Sequence, residues 1–308
     1  MTKAEMKPNR SNRIRRSTAE SIFNVFNVII LAVVALLCLY PMLHVLFSSL
    51  SDPIPLLSHK GLMLYPKGFN LGGYKMVLQN PKILTGYKNT LIILTGGLGV
   101  NMFLTILGAY VFSRKNLKYA KYVMFLIVFT MFFSGGMIPT YLIVRNLGLT
   151  NSLWALILVP AMNTTNMIIM RTAFSQIPES LEESARLDGA GDITIMYMIV
   201  VPLSTAVIAV ITMYYAVYHW NSWFNAMIYL RKDSLYPLQL VLREILISND
   251  ISAMDANAGA MGASDTIYLE RVLVQYCTII VATLPILVIY PFLQKYFVKG
   301  VMIGSVKG

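Results

Sequence analysis

Charge is scarce in this chain. Asp, Glu, Lys and Arg make up 13% of its 308 residues, against roughly 25% in an ordinary globular domain. Hydrophobic residues make up 56%, and mean hydropathy is +0.64. A soluble fold this apolar would lack the charged surface it needs. The three histidines, His44, His59 and His219, are too scattered to form a catalytic cluster at one membrane face, which argues against a polytopic membrane enzyme. Cys38 and Cys277 stand alone in apolar stretches, so neither a disulfide nor a metal site is expected, and both read as buried thiols. No G-x-x-x-x-G-K-[ST] loop is present, so the chain cannot itself be an ATPase. The apolar spans hold almost no ionisable residue, whereas proton- and sodium-coupled carriers keep such groups there. His44 is the nearest candidate, and it reads as an interfacial residue at the outer end of the first span.

What is present is a series of six apolar runs, each long enough for a membrane helix of about 20 residues. They cover about Ile22 to Phe47, Asn89 to Phe112, Tyr119 to Val144, Leu153 to Phe174, Met196 to Tyr218 and Val272 to Tyr296. The fold class expected is all-α integral membrane with six transmembrane helices. The first run is too long for a signal peptide and lacks a small-x-small cleavage site. The net charge of +11 does not require nucleic acid, because the basic residues flank apolar spans. Lys3, Lys7, Arg10, Arg13, Arg15 and Arg16 precede the first span, and Arg114, Lys115, Lys118 and Lys121 fill a short loop. This is the positive-inside pattern, which also attracts anionic lipid. It places both termini in the cytoplasm of a bacterial cell, with a basic tail (1–19), a membrane domain (20–297) and a second tail (298–308). Outer loops are expected at about 48–88 and 219–271. The first has prolines at 53, 55, 66 and 81, which exclude a strand or long helix. The stretch Ser248–Asp265, rich in Ala, Gly, Asn and Asp, reads as irregular.

One polar island interrupts the apolar pattern. Residues 178–192 hold five of the fourteen acids, Glu179, Glu182, Glu183, Asp188 and Asp192. Pro178 suits a helix start and Gly189 or Gly191 a helix end. Ile177, Leu181 and Ala185 recur every four residues as one narrow apolar stripe. Glu179 and Glu183 repel weakly at that spacing, offset by the helix N-terminus and by a Glu182–Arg186 pair. Two readings stay open: a solvated helix cap, or a short helix that docks into a basic groove on a soluble partner.

The segment Glu183-Ser184-Ala185, then Asp188-Gly189, then Pro202-Leu203, resembles the EAA loop of membrane subunits of ABC importers. The family pattern is Glu-Ala-Ala, three residues, Gly, then a hydrophobic stretch ending in Leu-Pro. This chain has Ser184 for the first Ala and Val201 before Pro202, both mild departures. Asn89-Thr90, Ala109-Tyr110 with Arg114, Ile138-Pro139, Gly148-Leu149, Ile177-Pro178, Trp220-Asn221 and Gly304–Gly308 extend the likeness over most of residues 20 to 308. The chain is similar to the carbohydrate branch, in particular to the smaller maltose-transporter permease. Asn166–Arg171 resembles a subgroup that handles complex oligosaccharides and polysaccharide fragments.

The resemblance implies a type I importer permease fold whose EAA loop, about 175–195, holds a cytoplasmic coupling helix. It assigns ATPase coupling to Glu182, Glu183, Ser184, Ala185, Asp188, Gly189 and Pro202. Glu183 would pair with a basic residue of the ATPase, Ala185 would sit against the cleft wall, and Gly189 would allow the following turn. The C-terminal tail would also reach the ATPase interface. The implied partners are a second permease subunit, two cytoplasmic ABC ATPases that bind ATP and Mg, an extracellular solute-binding protein and a carbohydrate, within the lipid bilayer. This chain itself would carry no cofactor and catalyse no covalent chemistry. A non-sugar solute remains open, and an ion-coupled carrier is the further rival.

A sugar path needs hydroxyl and amide partners and aromatic faces. Asn163, Thr164, Thr165 and Asn166 form a polar patch in the fourth span. Tyr214, Tyr215 and Tyr218 mark the fifth, and Asn101 lies in the second. The competing reading is structural. Asn and Thr bond between packed membrane helices, and Tyr anchors span ends at the interface.

Overall fold

The computed structural model describes residues 17–59, 61–115, 117–256, 271–289 and 291. Within them the protein is helical, without strands. The tails 1–16 and 298–308, and residues 257–265 of the Ala- and Gly-rich stretch, lie outside the described residues.

The first helix, α1 (Thr18–Ser49), is long and apolar enough to cross a bilayer, yet none of its most apolar window is buried against the rest of the chain. Only its end is tied down. Ser48 and Ser49 are buried, Ser49 Oγ lies 2.7 Å from Tyr74 Oη, and Tyr40 Oη accepts from the Met63 amide at 3.1 Å. Cys38 is exposed on this helix, contrary to the expectation of a buried thiol, because nothing packs on α1 at that level. Cys277 is buried and donates to Ser49 O.

Two short helices follow, α2 (Pro53–Ser58) and α3 (Gly72–Gln79). The central helix α4 (Pro81–Ser113) then begins at Pro81 rather than near Asn89. Asn80 supplies the reason: its side chain accepts from Lys82 N at 3.0 Å, and Pro81 occupies the first turn, where a missing N–H costs nothing. The buried face of α4 is built from Ile83, Gly86, Thr90, Ile93, Gly97, Asn101, Thr105 and Ala109, spaced three or four residues apart. Most are small or polar, which lets neighbouring backbones approach closely, as membrane helices do. Leu91, Phe103, Leu107 and Val111 point outward, the arrangement a lipid solvent permits.

Three expected spans are broken rather than straight. The third consists of α5 (Ala120–Phe132) and α6 (Met137–Asn146), bent by 111°. Gly136 sits at the bend with φ +86°, a conformation that suits glycine. The fourth divides into α7 (Leu153–Leu158) and α8 (Thr164–Phe174), with Pro160 in the gap. After the short helix α9 (Glu179–Leu187), the fifth starts as α10 (Asp192–Ile195). It passes through a π-turn at Met196–Val200 and α11 (Val201–Leu203), then bends by 87° into α12 (Thr205–Trp220). A π-turn and Pro202 at one place account for that bend.

Beyond α12 lie α13 (Phe224–Tyr229) and α14 (Leu238–Ala256). The latter takes in Ser248–Ala256, expected as irregular. Its start is fixed to α4: Asn89 Nδ2 donates to Ser234 O at 2.9 Å, and the Leu238 amide donates to Thr90 Oγ1 at 2.9 Å. A final apolar helix, α15 (Arg271–Ile289), matches the described part of the sixth span. By length and composition, three described helices suffice to cross a membrane, or five if each bent pair is one span.

Candidate functional site

Helix α9 carries most of the polar island. Pro178 caps it, and Glu179 and Glu182 lie in its first turn, where acids are favoured. It closes as a Schellman motif: Ala190 N donates to Ala185 O at 2.9 Å and Gly189 N to Arg186 O at 3.1 Å. Gly189 has φ +84°, and a Cβ there would touch nothing, so its requirement is conformational rather than steric.

The inward face of α9 differs from the expected stripe. Ile177, Ala185 and Ala190 pack on the cluster of Ala109, Tyr110, Phe174 and Ile195. Leu181, however, is 44% exposed, and Glu182 turns inward in its place at 7%. Glu182 pairs with Arg114, the cap residue of α4, and not with Arg186. Arg186 pairs instead with Asp192. The Arg114 guanidinium also stands over the Tyr110 ring, 4.7 Å from its centroid. Burial pulls Arg114 below its ordinary basic range, yet arginine stays charged in proteins. A second, exposed pair joins Lys115 Nζ to Glu179 Oε1 at 2.8 Å. Arg171 Nε on α8 donates to Phe112 O at 2.7 Å.

The outward face presents Ser180, Leu181, Glu183, Ser184 and Leu187. Leu187 is 89% exposed, unusual for leucine on a polar helix and missed by the sequence reading because it lies off the apolar stripe. Asp188 is the exposed C-cap. Pro202 is not on α9 but at the bend before α12. A cavity of about 970 Å³ separates α9 from the loop after α4, lined by Arg114, Lys121, Arg171, Glu179 and Glu183 among others.

The second group of site residues gathers at the gap between α7 and α8. His219 Nε2 lies 2.6 Å from Asn101 Oδ1. Asn101 Nδ2 donates to Pro160 O at 2.6 Å. Tyr215 Oη accepts from the Asn163 amide at 3.0 Å and lies 2.8 Å from Thr105 Oγ1. Asn163 caps α8, accepting from Asn166 N at 3.0 Å. These bonds satisfy backbone groups that the break leaves open, as a bilayer interior demands. Asn101, Tyr215 and Asn166 are buried in this arrangement, whereas Asn163, Thr165, Tyr214 and Tyr218 are exposed and Thr164 is half-buried. His219, expected in an outer loop, is buried in the last turn of α12. Its signal was an apolar run that continues through it to Trp220.

No protein-family model matches the chain. Its sequence is 42% identical over 272 residues to the polygalacturonan/rhamnogalacturonan transport system permease protein YtcP of Bacillus subtilis (88% of this chain, 93% of that protein). It is 40% identical over 274 residues to Protein LplC of the same bacterium (88% and 90%). The crystal structure of a bacterial ABC transporter involved in the import of the acidic polysaccharide alginate shares the fold, with TM-score 0.82 and 30% identity over 92% of this chain and 99% of that one. A helical bundle with this likeness is the membrane-spanning component of a transporter. The chain belongs to the ABC transporter permease family, in its carbohydrate-import branch.

Proposed function

We propose that the chain is one membrane half of an ATP-driven importer, moving oligosaccharides released from an acidic polysaccharide. Likeness to permeases named for polygalacturonan, rhamnogalacturonan and alginate transport supports that cargo. The described parts of α4, α8 and α12 contain no Asp or Glu, so no fixed negative charge there would repel a uronate.

The chain crosses the bacterial cell membrane six times, with each broken helix pair serving as one crossing and both termini in the cytoplasm. The basic loop beside α9 supports that orientation. A second permease subunit covers part of the bare surface of α1 and completes the path. The exposed side chains Asn163, Thr165, Tyr214 and Tyr218 face that path, with Thr164 at its edge. Asn101, Tyr215 and Asn166 hold its wall.

Helix α9 is the coupling helix. Two cytoplasmic ATPases bind ATP and Mg, and one of them receives α9 in a cleft. Glu183 supplies the charge for a basic partner, Leu187 an apolar contact, and Ser184 and Ala185 allow close approach. An extracellular binding protein delivers the sugar. The observation that carries the docking role is the exposure of Glu183 and Leu187 on a helix anchored by its opposite face.

The test is co-purification in mild detergent with the neighbouring gene products, comparing the native chain with Glu183→Lys. The expected result is an ATPase and a second permease with the native chain, and loss of the ATPase alone from the variant. An ATPase retained by both would remove α9 from the docking role.

A further inference from the structure

We propose that Arg114 and Glu182 form a transmission clasp, which carries displacement of α9 directly into the end of α4. This inference rests on the reading of α9 as the coupling helix and adds what happens on its inner side.

The geometry joins three elements at one point. Arg114 follows the last turn of α4, the helix around which α7, α8, α12 and α14 pack. Glu182 is on the inward face of α9. Both side chains are largely buried, 19% and 9% exposed, at the edge of the cavity beside α9, so salt screens this pair less than an exposed one. The third element is α8, whose Arg171 grips Phe112 O within the last turn of α4. Lys115–Glu179 is an exposed pair of the same two segments, and Arg186 is engaged by Asp192. Among the described residues, two ion pairs tie α9 to the end of α4 and the loop after it, and of these Arg114–Glu182 is the buried one.

Within α9 itself the apolar contact on this face is the small Ala185, with Ile177 and Ala190 packing just beyond its two ends. A buried charge pair cannot slide, because separation would leave each charge uncompensated in a poorly solvated place. Pushing α9 therefore moves the end of α4 with it. Further along α4, Asn101 and Thr105 hold the α7–α8 gap and Tyr215, so the displacement arrives at the polar break. Arg114 and Glu182 are positioning residues, touching neither nucleotide nor sugar.

The complete complex, reconstituted with binding protein and an oligogalacturonide, tests this in Glu182→Gln, Arg114→Gln and the charge-exchanged pair Arg114→Glu with Glu182→Arg. Uptake and ATP hydrolysis are measured together. The expected result is that both single variants keep the ATPase bound and hydrolysing, while sugar moved per ATP falls at least tenfold. The exchanged pair should recover several-fold over either single variant. Unchanged sugar per ATP in the single variants overturns the clasp. Variants that fail to assemble, or that lose uptake and hydrolysis in the same proportion, make the pair a folding contact and also overturn it. Failure of the docking reading is separable, since there Glu183→Lys would retain the ATPase.

Discussion

His219 and Asn101 meet at 2.6 Å in the middle of the helical bundle, and the same Asn101 amide donates to the carbonyl of Pro160. One asparagine therefore joins α12 to a backbone group freed by the break between α7 and α8. Asn101→Leu should strand Pro160 O and His219 Nε2 together. An unsatisfied buried polar group costs about 1–3 kcal/mol. The expected outcome is a lower midpoint of thermal unfolding in detergent, with uptake reduced more than ATPase binding.

Gly97 and Gly99 lie on the same helix and should respond in opposite ways. A Cβ at Gly97 would enter the His219 ring, whereas one at Gly99 would meet nothing within 4 Å. Overpacking a tight site costs about 1–3 kcal/mol, so Gly97→Val should destabilise the chain. Gly99→Ala should be neutral or stabilising by up to ~1 kcal/mol, because Ala favours helix. Thermal unfolding of the two variants side by side checks both signs.

Gly189→Ala isolates the backbone requirement at the end of α9. With φ +84° and open space around the site, the cost is the left-handed conformation alone, about 1–2 kcal/mol for an L-residue. Membrane insertion should be unchanged. Uptake should fall, and fall further in Gly189→Pro. Normal uptake in both variants would show that this turn has no part in coupling.

Leu187→Asp tests the apolar contact on the outer face of α9. Because Leu187 is 89% exposed, the substitution should leave the permease folded. Detergent pull-down should recover less ATPase, with the second permease retained. Equal recovery would place Leu187 outside the interface.

The apolar runs made the membrane class legible, and the end of the polar-island helix α9 was legible at Gly189, whereas the Asn80-capped start of α4 at Pro81 was not. The breaks were not. A hydropathy window averages over Gly136, Pro160 and Ser204, so three broken helices read as three continuous ones. The orientation of α9 was misread for a related reason. Periodicity assigns apolar residues to the core, and here a buried partner, Arg114, draws Glu182 inward and leaves Leu181 outside. That pairing joins residues far apart in the chain, and local pattern carries no trace of it. The polar patch Asn163–Asn166 was legible as a patch, but only the fold separates Asn166, buried, from Asn163 and Thr165, exposed. Helix α14 was missed because its second half is rich in Ser, Asn, Asp and Ala, which read as loop.

The proposed function is import of acidic oligosaccharides driven by ATPases that act on α9. Its most direct test is uptake of a labelled oligogalacturonide into proteoliposomes that hold the complete complex, with ATP inside and binding protein outside. The expected result is ATP-dependent accumulation that Glu183→Lys abolishes and that a neutral oligosaccharide of equal length does not match. Accumulation driven by an ion gradient without ATP, or equal uptake by Glu183→Lys, would contradict it.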